Sequence, residues 1–130
     1  TDNSYKISFS HCKNWISVIA NPTYEVGIDI ERPTDRIEKI HTRFLGNEEL
    51  EEYLKHRELN YLKVVWSAKE ALYKIIGEKA YNFARKIRIL PFELREEGEL
   101  KALFQETNKE YLVNYRLTDK YTLAYCTDNE

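Results

Sequence analysis

Tyr5, Ile7 and Phe9 alternate with Lys6, Ser8 and Ser10, the two-residue period of a β-strand. A second apolar stretch at residues 15–20 (WISVIA) reads as its partner, with a hairpin turn over residues 11–14. Asn21, Pro22 and Thr23 break the pattern, a third strand follows at residues 25–31, and Pro33 stops it. The middle of the chain changes period. Thr34 or Asp35 caps a helix through Ile37, Ile40 and Phe44 that ends near Gly46. Asn47, Glu48 and Glu49 open an acidic helix through Leu50, Tyr53 and Leu54. The third and longest helix starts at Asn60 and carries Tyr61, Val65, Ala68, Leu72, Ile75 and Ile76 at spacings of three and four, with Gly77 as its stop. From Lys86 onward the two-residue period returns at residues 86–90, 100–104, 111–117 and 121–126, the last two joined across residues 118–120. Strands at both ends of a helical middle predict an α+β fold, an antiparallel sheet packed against the long helix, as one domain over residues 1–130.

Composition narrows the partners. Twenty basic against 22 acidic residues leave a formal net charge of -2, without the basic excess of a general nucleic-acid or membrane-surface binder. No apolar run reaches the length of a membrane span and nothing at the start reads as a secretory signal, so the expected setting is cytoplasmic. Cys12 and Cys126 are expected as two reduced thiols rather than a zinc site. The chain opens on Thr1 rather than Met, which places the expected true N-terminus upstream.

Three features could carry chemistry. On the third strand Val26, Ile28 and Ile30 point one way, so Gly27, Asp29 and Glu31 share the other face. The Cα atoms of Asp29 and Glu31 then stand about 7 Å apart, and paired carboxylates repel unless a cation or donor sits between them. Oxygen ligands of this kind suit Mg²⁺ or Ca²⁺ rather than zinc. On the long helix, opposite the apolar stripe, fall Trp66, Lys69, Glu70, Tyr73 and Lys74. Alone, the strand pair suits a solvated face and the helix pair an ordinary ion pair. Together they offer three carboxylates for a metal and lysines for phosphate oxygens, the charge layout of phosphoryl-type transfer. The third feature is Ser10-His11 at the end of the first strand, where a histidine binds phosphate, acts as a base or finishes a turn. His41 and His56 fall on polar helix positions and take no role.

These pieces resemble the 4′-phosphopantetheinyl transferases. The strand motif G-[IV]-D-x-E stands here as Gly27-Ile28-Asp29-Ile30-Glu31, and the helix motif [FW]-[SC]-x-K-E-[AS]-x-x-K as Trp66 through Lys74. Arg43-Phe44-Leu45 with Glu48 and Glu49 is similar to the family's R-F-[FL]-x-x-x-E stretch, and Ser10-His11 to the Ser-His of its two-lobed members. The resemblance implies transfer of the phosphopantetheine arm of coenzyme A to a serine of an apo acyl or peptidyl carrier protein, with release of 3′,5′-ADP. It implies that Asp29, Glu31 and Glu70 surround Mg²⁺, that Lys69 and Lys74 neutralise phosphate charge, and that Ser10-His11 meets a coenzyme A phosphate. Trp66 would pack at the base of the site, and Glu70 or a metal-bound water would take the serine proton.

Two-lobed members of the family carry a related lobe before the Ser-His, so the chain is similar to their C-terminal lobe, with the N-terminal partner lobe absent. The site is then expected to be completed by that lobe or by homo-oligomerisation. The sequence also departs from the family after Gly77, where Glu78-Lys79-Ala80 replaces a second glycine. Arg36, Lys39 and Arg43 fall at i, i+3 and i+7 as a basic edge for an acidic carrier protein. Two other readings stand beside the transferase: a non-catalytic lobe that binds coenzyme A or metal, and a different Mg²⁺-dependent phosphohydrolase using the same carboxylates.

Overall fold

The computed structural model describes residues 4–77, 82 and 86–129, and the departure at Glu78-Lys79-Ala80 lies outside them. Two strands, β1 (Lys6–Cys12) and β2 (Trp15–Asn21), form an antiparallel hairpin around a tight turn at Lys13 and Asn14. Five further strands make the main sheet: β3 (Val26–Glu31), β4 (Ile87–Ile89), β5 (Glu97–Phe104), β6 (Lys109–Leu117) and β7 (Thr122–Thr127). Their spatial order is β3-β7-β6-β5-β4, every pair antiparallel. Between β3 and β4 run α1 (Arg36–Lys39), α2 (His41–Phe44), α3 (Asn47–His56) and α4 (Leu59–Ile76). The expected α+β class, an antiparallel sheet against a long helix, is what the chain adopts.

The 18-residue α4 lies on β3 and β7 and is buried almost all the way round. Leu62, Val64, Val65, Ala68, Ala71 and Leu72 enter a core with Phe44 and Tyr53 from the smaller helices and Ile87, Ala102, Val113 and Tyr115 from the sheet. The three-four stripe read from the sequence therefore covers only part of the contact face. Tyr61, Ile75 and Ile76 are its half-buried rim, while Val64 and Lys69, off the stripe, are fully enclosed. Gly77 closes the helix at φ 77°, a conformation that costs a side-chain-bearing residue strain.

The first predicted helix is two short turns instead, because the backbone breaks at Ile40 (φ -113°, ψ 10°). Arg36, Lys39 and Arg43 are all exposed. The break removes the continuous helical spacing on which the basic edge was built.

β3 is an edge strand, and its free side is closed by side chains rather than by a backbone ladder. Ser8 Oγ accepts from the Ile28 amide at 3.2 Å and Ser10 Oγ from the Ile30 amide at 3.1 Å. The two serines satisfy buried donors that an open edge would leave to water. This reverses the hairpin. Its serine side faces β3, and the alternation that keeps Ser8 and Ser10 inward turns Ile7 and Phe9 out to solvent.

Candidate active site

The site begins with a missing side chain. A Cβ on Gly27 would lie 2.0 Å from the Ala71 carbonyl oxygen and 3.2 Å from Ile75 Cγ1, so only glycine lets β3 rest directly on α4. Because side chains alternate along the strand, the face that touches the helix at Gly27 presents Asp29 and Glu31 beside Glu70 and Lys74. The strand motif and the helix motif thus meet as one cluster.

Its electrostatics are those of crowded anions. Asp29 is buried, and among the described residues its Oδ2 has no hydrogen-bond partner. Its carboxyl is pushed up from 3.8 to about 9, first by burial, then by the charge of Glu31 and a hydrogen bond shared with it, then by Glu70, with Lys74 pulling the other way. Glu70 is raised as well, by burial first and then by Glu31, again against Lys74. Three carboxylates lie within reach of each other's fields, one with an orphaned buried oxygen, and their oxygens are of the chemical type a hard divalent cation takes. Among the described residues no three Asp, Glu, His or Cys side chains are gathered closely enough to hold a metal ion as they stand.

Lys74 ties the cluster to the hairpin. Its ammonium donates to the Ile28 carbonyl at 2.6 Å and to the Phe9 carbonyl at 3.2 Å, bridging β3 and β1. Among the described residues two of the three ammonium donors are spent on backbone, which leaves the third for a ligand oxygen.

The family model of the 4′-phosphopantetheinyl transferase superfamily matches residues 25–126, a stretch that contains both β3 and α4 with their motifs. The chain belongs to that superfamily. Its chemistry is therefore of the phosphopantetheinyl transfer class. No curated protein matches the chain. The matched stretch starts after the hairpin, so Ser10 and His11 lie outside it.

Within the phosphopantetheinyl transferase fold the other expected residues fall in different places. Lys69 is not at the carboxylate cluster. One residue before Glu70 on the helix, it points about 100° away and is fully buried. Its ammonium donates to Glu49 Oε1 at 2.6 Å and to the Phe44 carbonyl at 2.7 Å. Burial lowers its pKa and Glu49 opposes that shift. An ammonium so enclosed has no path to a phosphate, and Lys69 belongs to the core. Ser10 is likewise engaged with β3 through its hydroxyl rather than open to a ligand. His11 is exposed at the end of β1. Trp66 lies half-buried one turn before Glu70, edge-on to Phe44 with ring centres 5.2 Å apart.

Two residues matter more than the sequence reading allowed. Glu49 accepts from the Gly46 amide at 2.8 Å through Oε1 and from the Ile89 amide at 2.6 Å through Oε2, while pairing Lys69. It joins the start of α3, the middle of α4 and β4. Its place in the R-F-L-x-x-x-E stretch was the available signal. Ser8 has the same job as Ser10 one pair along, and only knowledge of which hairpin face turns inward could have revealed it.

A cleft of about 850 Å³ lined by Arg43, Leu45, Asn47, Glu48 and Gln105, among others, does not include Asp29, Glu31 or Glu70. Among the described residues no helix is long and apolar enough to cross a membrane.

Proposed function

We propose that this lobe transfers the 4′-phosphopantetheine group from coenzyme A to a serine of an apo acyl or peptidyl carrier protein. The observation that carries the reading is the contact of β3 with α4 at Gly27, which assembles Asp29, Glu31, Glu70 and Lys74 from two motifs far apart in the chain. The serine oxygen would form a bond to the pyrophosphate phosphorus that bears the pantetheine arm. The bond from that phosphorus to the bridging oxygen would break, and 3′,5′-ADP would leave with the electron pair.

Each residue of the cluster has a task in that step. Asp29 and Glu31, with Glu70, would hold Mg²⁺, which when bound supplies charge neutralisation at the pyrophosphate. Lys74, already anchored on two carbonyls, would meet a phosphate oxygen with its remaining donor and hold it against repulsion by the carboxylates. Glu70 would accept the serine proton. Trp66 would floor the site, and His11, exposed at the end of β1, would contact a coenzyme A phosphate.

The test is the intact mass of an apo carrier protein after incubation with the chain, coenzyme A and Mg²⁺. The expected result is a gain of one phosphopantetheine, lost in Glu70→Gln by at least about a hundredfold in rate. No gain, with coenzyme A still bound, would replace this reading by that of a binding lobe without turnover. Phosphate release from simple esters would replace it by hydrolysis.

A further inference from the structure

Lys74 stands where its charge would ordinarily fall onto its own helix. It follows Glu70 by four residues on α4, the order of charges that most favours an ion pair along one helix face. Its charge reaches the carboxylates, opposing the rise that burial and then Glu31 impose on Asp29 and on Glu70. Among the described residues, however, it makes no ion pair with Glu70, Asp29 or Glu31. The ammonium goes instead to two neutral oxygens, the Ile28 carbonyl at 2.6 Å and the Phe9 carbonyl at 3.2 Å. A carboxylate is the stronger acceptor, and the lysine stem is long and exposed enough to turn. The two carbonyls therefore win by being held where one ammonium reaches both.

What holds them is the seam between β1 and β3. No backbone ladder joins these strands, which belong to separate sheets. Ser8 Oγ accepts from the Ile28 amide and Ser10 Oγ from the Ile30 amide, so the residues on both sides of Phe9 are pinned to β3. The Ile28 amide and carbonyl leave the strand on one side, and Ser8 and Lys74 take one each. We infer that Ser8 and Ser10 are positioning residues, which fix the Phe9 and Ile28 carbonyls as a two-point clamp and so keep the Lys74 ammonium off Glu70 and aimed at a phosphate oxygen. The phosphate rests on the transferase reading; the clamp does not. The gain is preorganisation: a phosphate meeting a Lys74 already paired with Glu70 must first break that pair, whereas a clamped ammonium is ready. Glu70 is left free for its own task by the same device. The clamp comes from the hairpin, outside the residues 25–126 that define the family match. It gives Ser10 a role in the site without contact to the ligand.

Two measurements on the whole chain test this. The first is the nuclear magnetic resonance spectrum of the chain labelled with ¹³C at the lysine ε-carbons, without coenzyme A, the Lys74 signal being assigned by its loss in Lys74→Met. A clamped ammonium makes the two ε-protons of Lys74 inequivalent, and Ser8→Ala with Ser10→Ala should merge them. Ser10→Ala alone, which keeps one of the two bonds, should move them in the same direction by less. The second is coenzyme A affinity by calorimetry in a double-mutant cycle. Lys74→Met should weaken binding by about tenfold and the serine pair by about fivefold, with the two together no worse than Lys74→Met alone. Combined with His11→Ala, the serine loss should instead multiply. Lys74 signals unchanged in the serine variants overturn the clamp. Losses that multiply with Lys74→Met, or that fail to multiply with His11→Ala, overturn the positioning role by sending the effect of the serines through another residue. A wild-type chain that binds no coenzyme A overturns the transferase reading and the phosphate role with it, and the spectra then show separately whether the clamp stands.

Discussion

At Asp29 the geometry turns into a pH dependence whose sign can be worked out. A carboxyl raised in the folded state binds its proton more tightly there than in the unfolded chain. Between its ordinary 3.8 and about 9 the folded protein therefore holds more protons, and stability falls as pH rises through that window. In metal-free buffer the melting temperature should drop from mildly acid to alkaline pH by on the order of 5 °C. Asp29→Asn should flatten the drop, and added Mg²⁺ should restore stability at neutral pH in the wild type but not in the variant. Thermal melts with chelator or with Mg²⁺ check all three. Lys69 and Glu49 behave oppositely, because each is the other's partner at 2.6 Å in a dry core. Glu49→Ala should cost about 3–5 kcal/mol in urea unfolding by stranding the ammonium, and adding Lys69→Met should recover most of that. The two lysines of the helix motif were equivalent in the sequence. What separates them is a carboxylate twenty positions upstream, and residue spacing on one helix carries no information about that.

Among elements, the seam between β3 and α4 decides the site. Gly27→Ala places a methyl group where the Ala71 carbonyl already stands, so strand and helix must separate. The expected cost is about 1–3 kcal/mol of stability, with a loss of transfer activity larger than stability alone explains. Activity measured well below the melting point, beside the melt itself, distinguishes the two. Ser8→Ala with Ser10→Ala strips the acceptors from the Ile28 and Ile30 amides and should loosen the hairpin while leaving the main sheet intact. Most of these elements were legible from period alone: both hairpin strands, α3, α4 and the closing strands lie within a few residues of where alternation and spacing put them. Period does not say which of two faces turns inward. It showed Ile7 and Phe9 as a set, and only the amides of β3 explain why the serine set took the inside. It also missed the break at Ile40, where no proline or glycine marks the stop.

For the whole molecule, the hairpin and the five-stranded sheet are held together by different means, and their stabilities should differ. Ladders of backbone hydrogen bonds run through β3-β7-β6-β5-β4, whereas two serine hydroxyls and the Lys74 ammonium tie β1 to β3. Amide exchange should therefore be faster in residues 6–21 than in β6 and β7. The order of strands also sets the order of events as the chain is made. Val26 pairs with Thr127 and Glu31 with Thr122, so the strand that bears Asp29 and Glu31 has no ladder until those distant downstream residues are made. A ribosome must release both strands and all that lies between them before that pairing can form, and closing so long a loop is slow. Until then the apolar hairpin and the bare edge of β3 are exposed together, which makes the nascent chain a natural client for a chaperone that binds extended apolar segments.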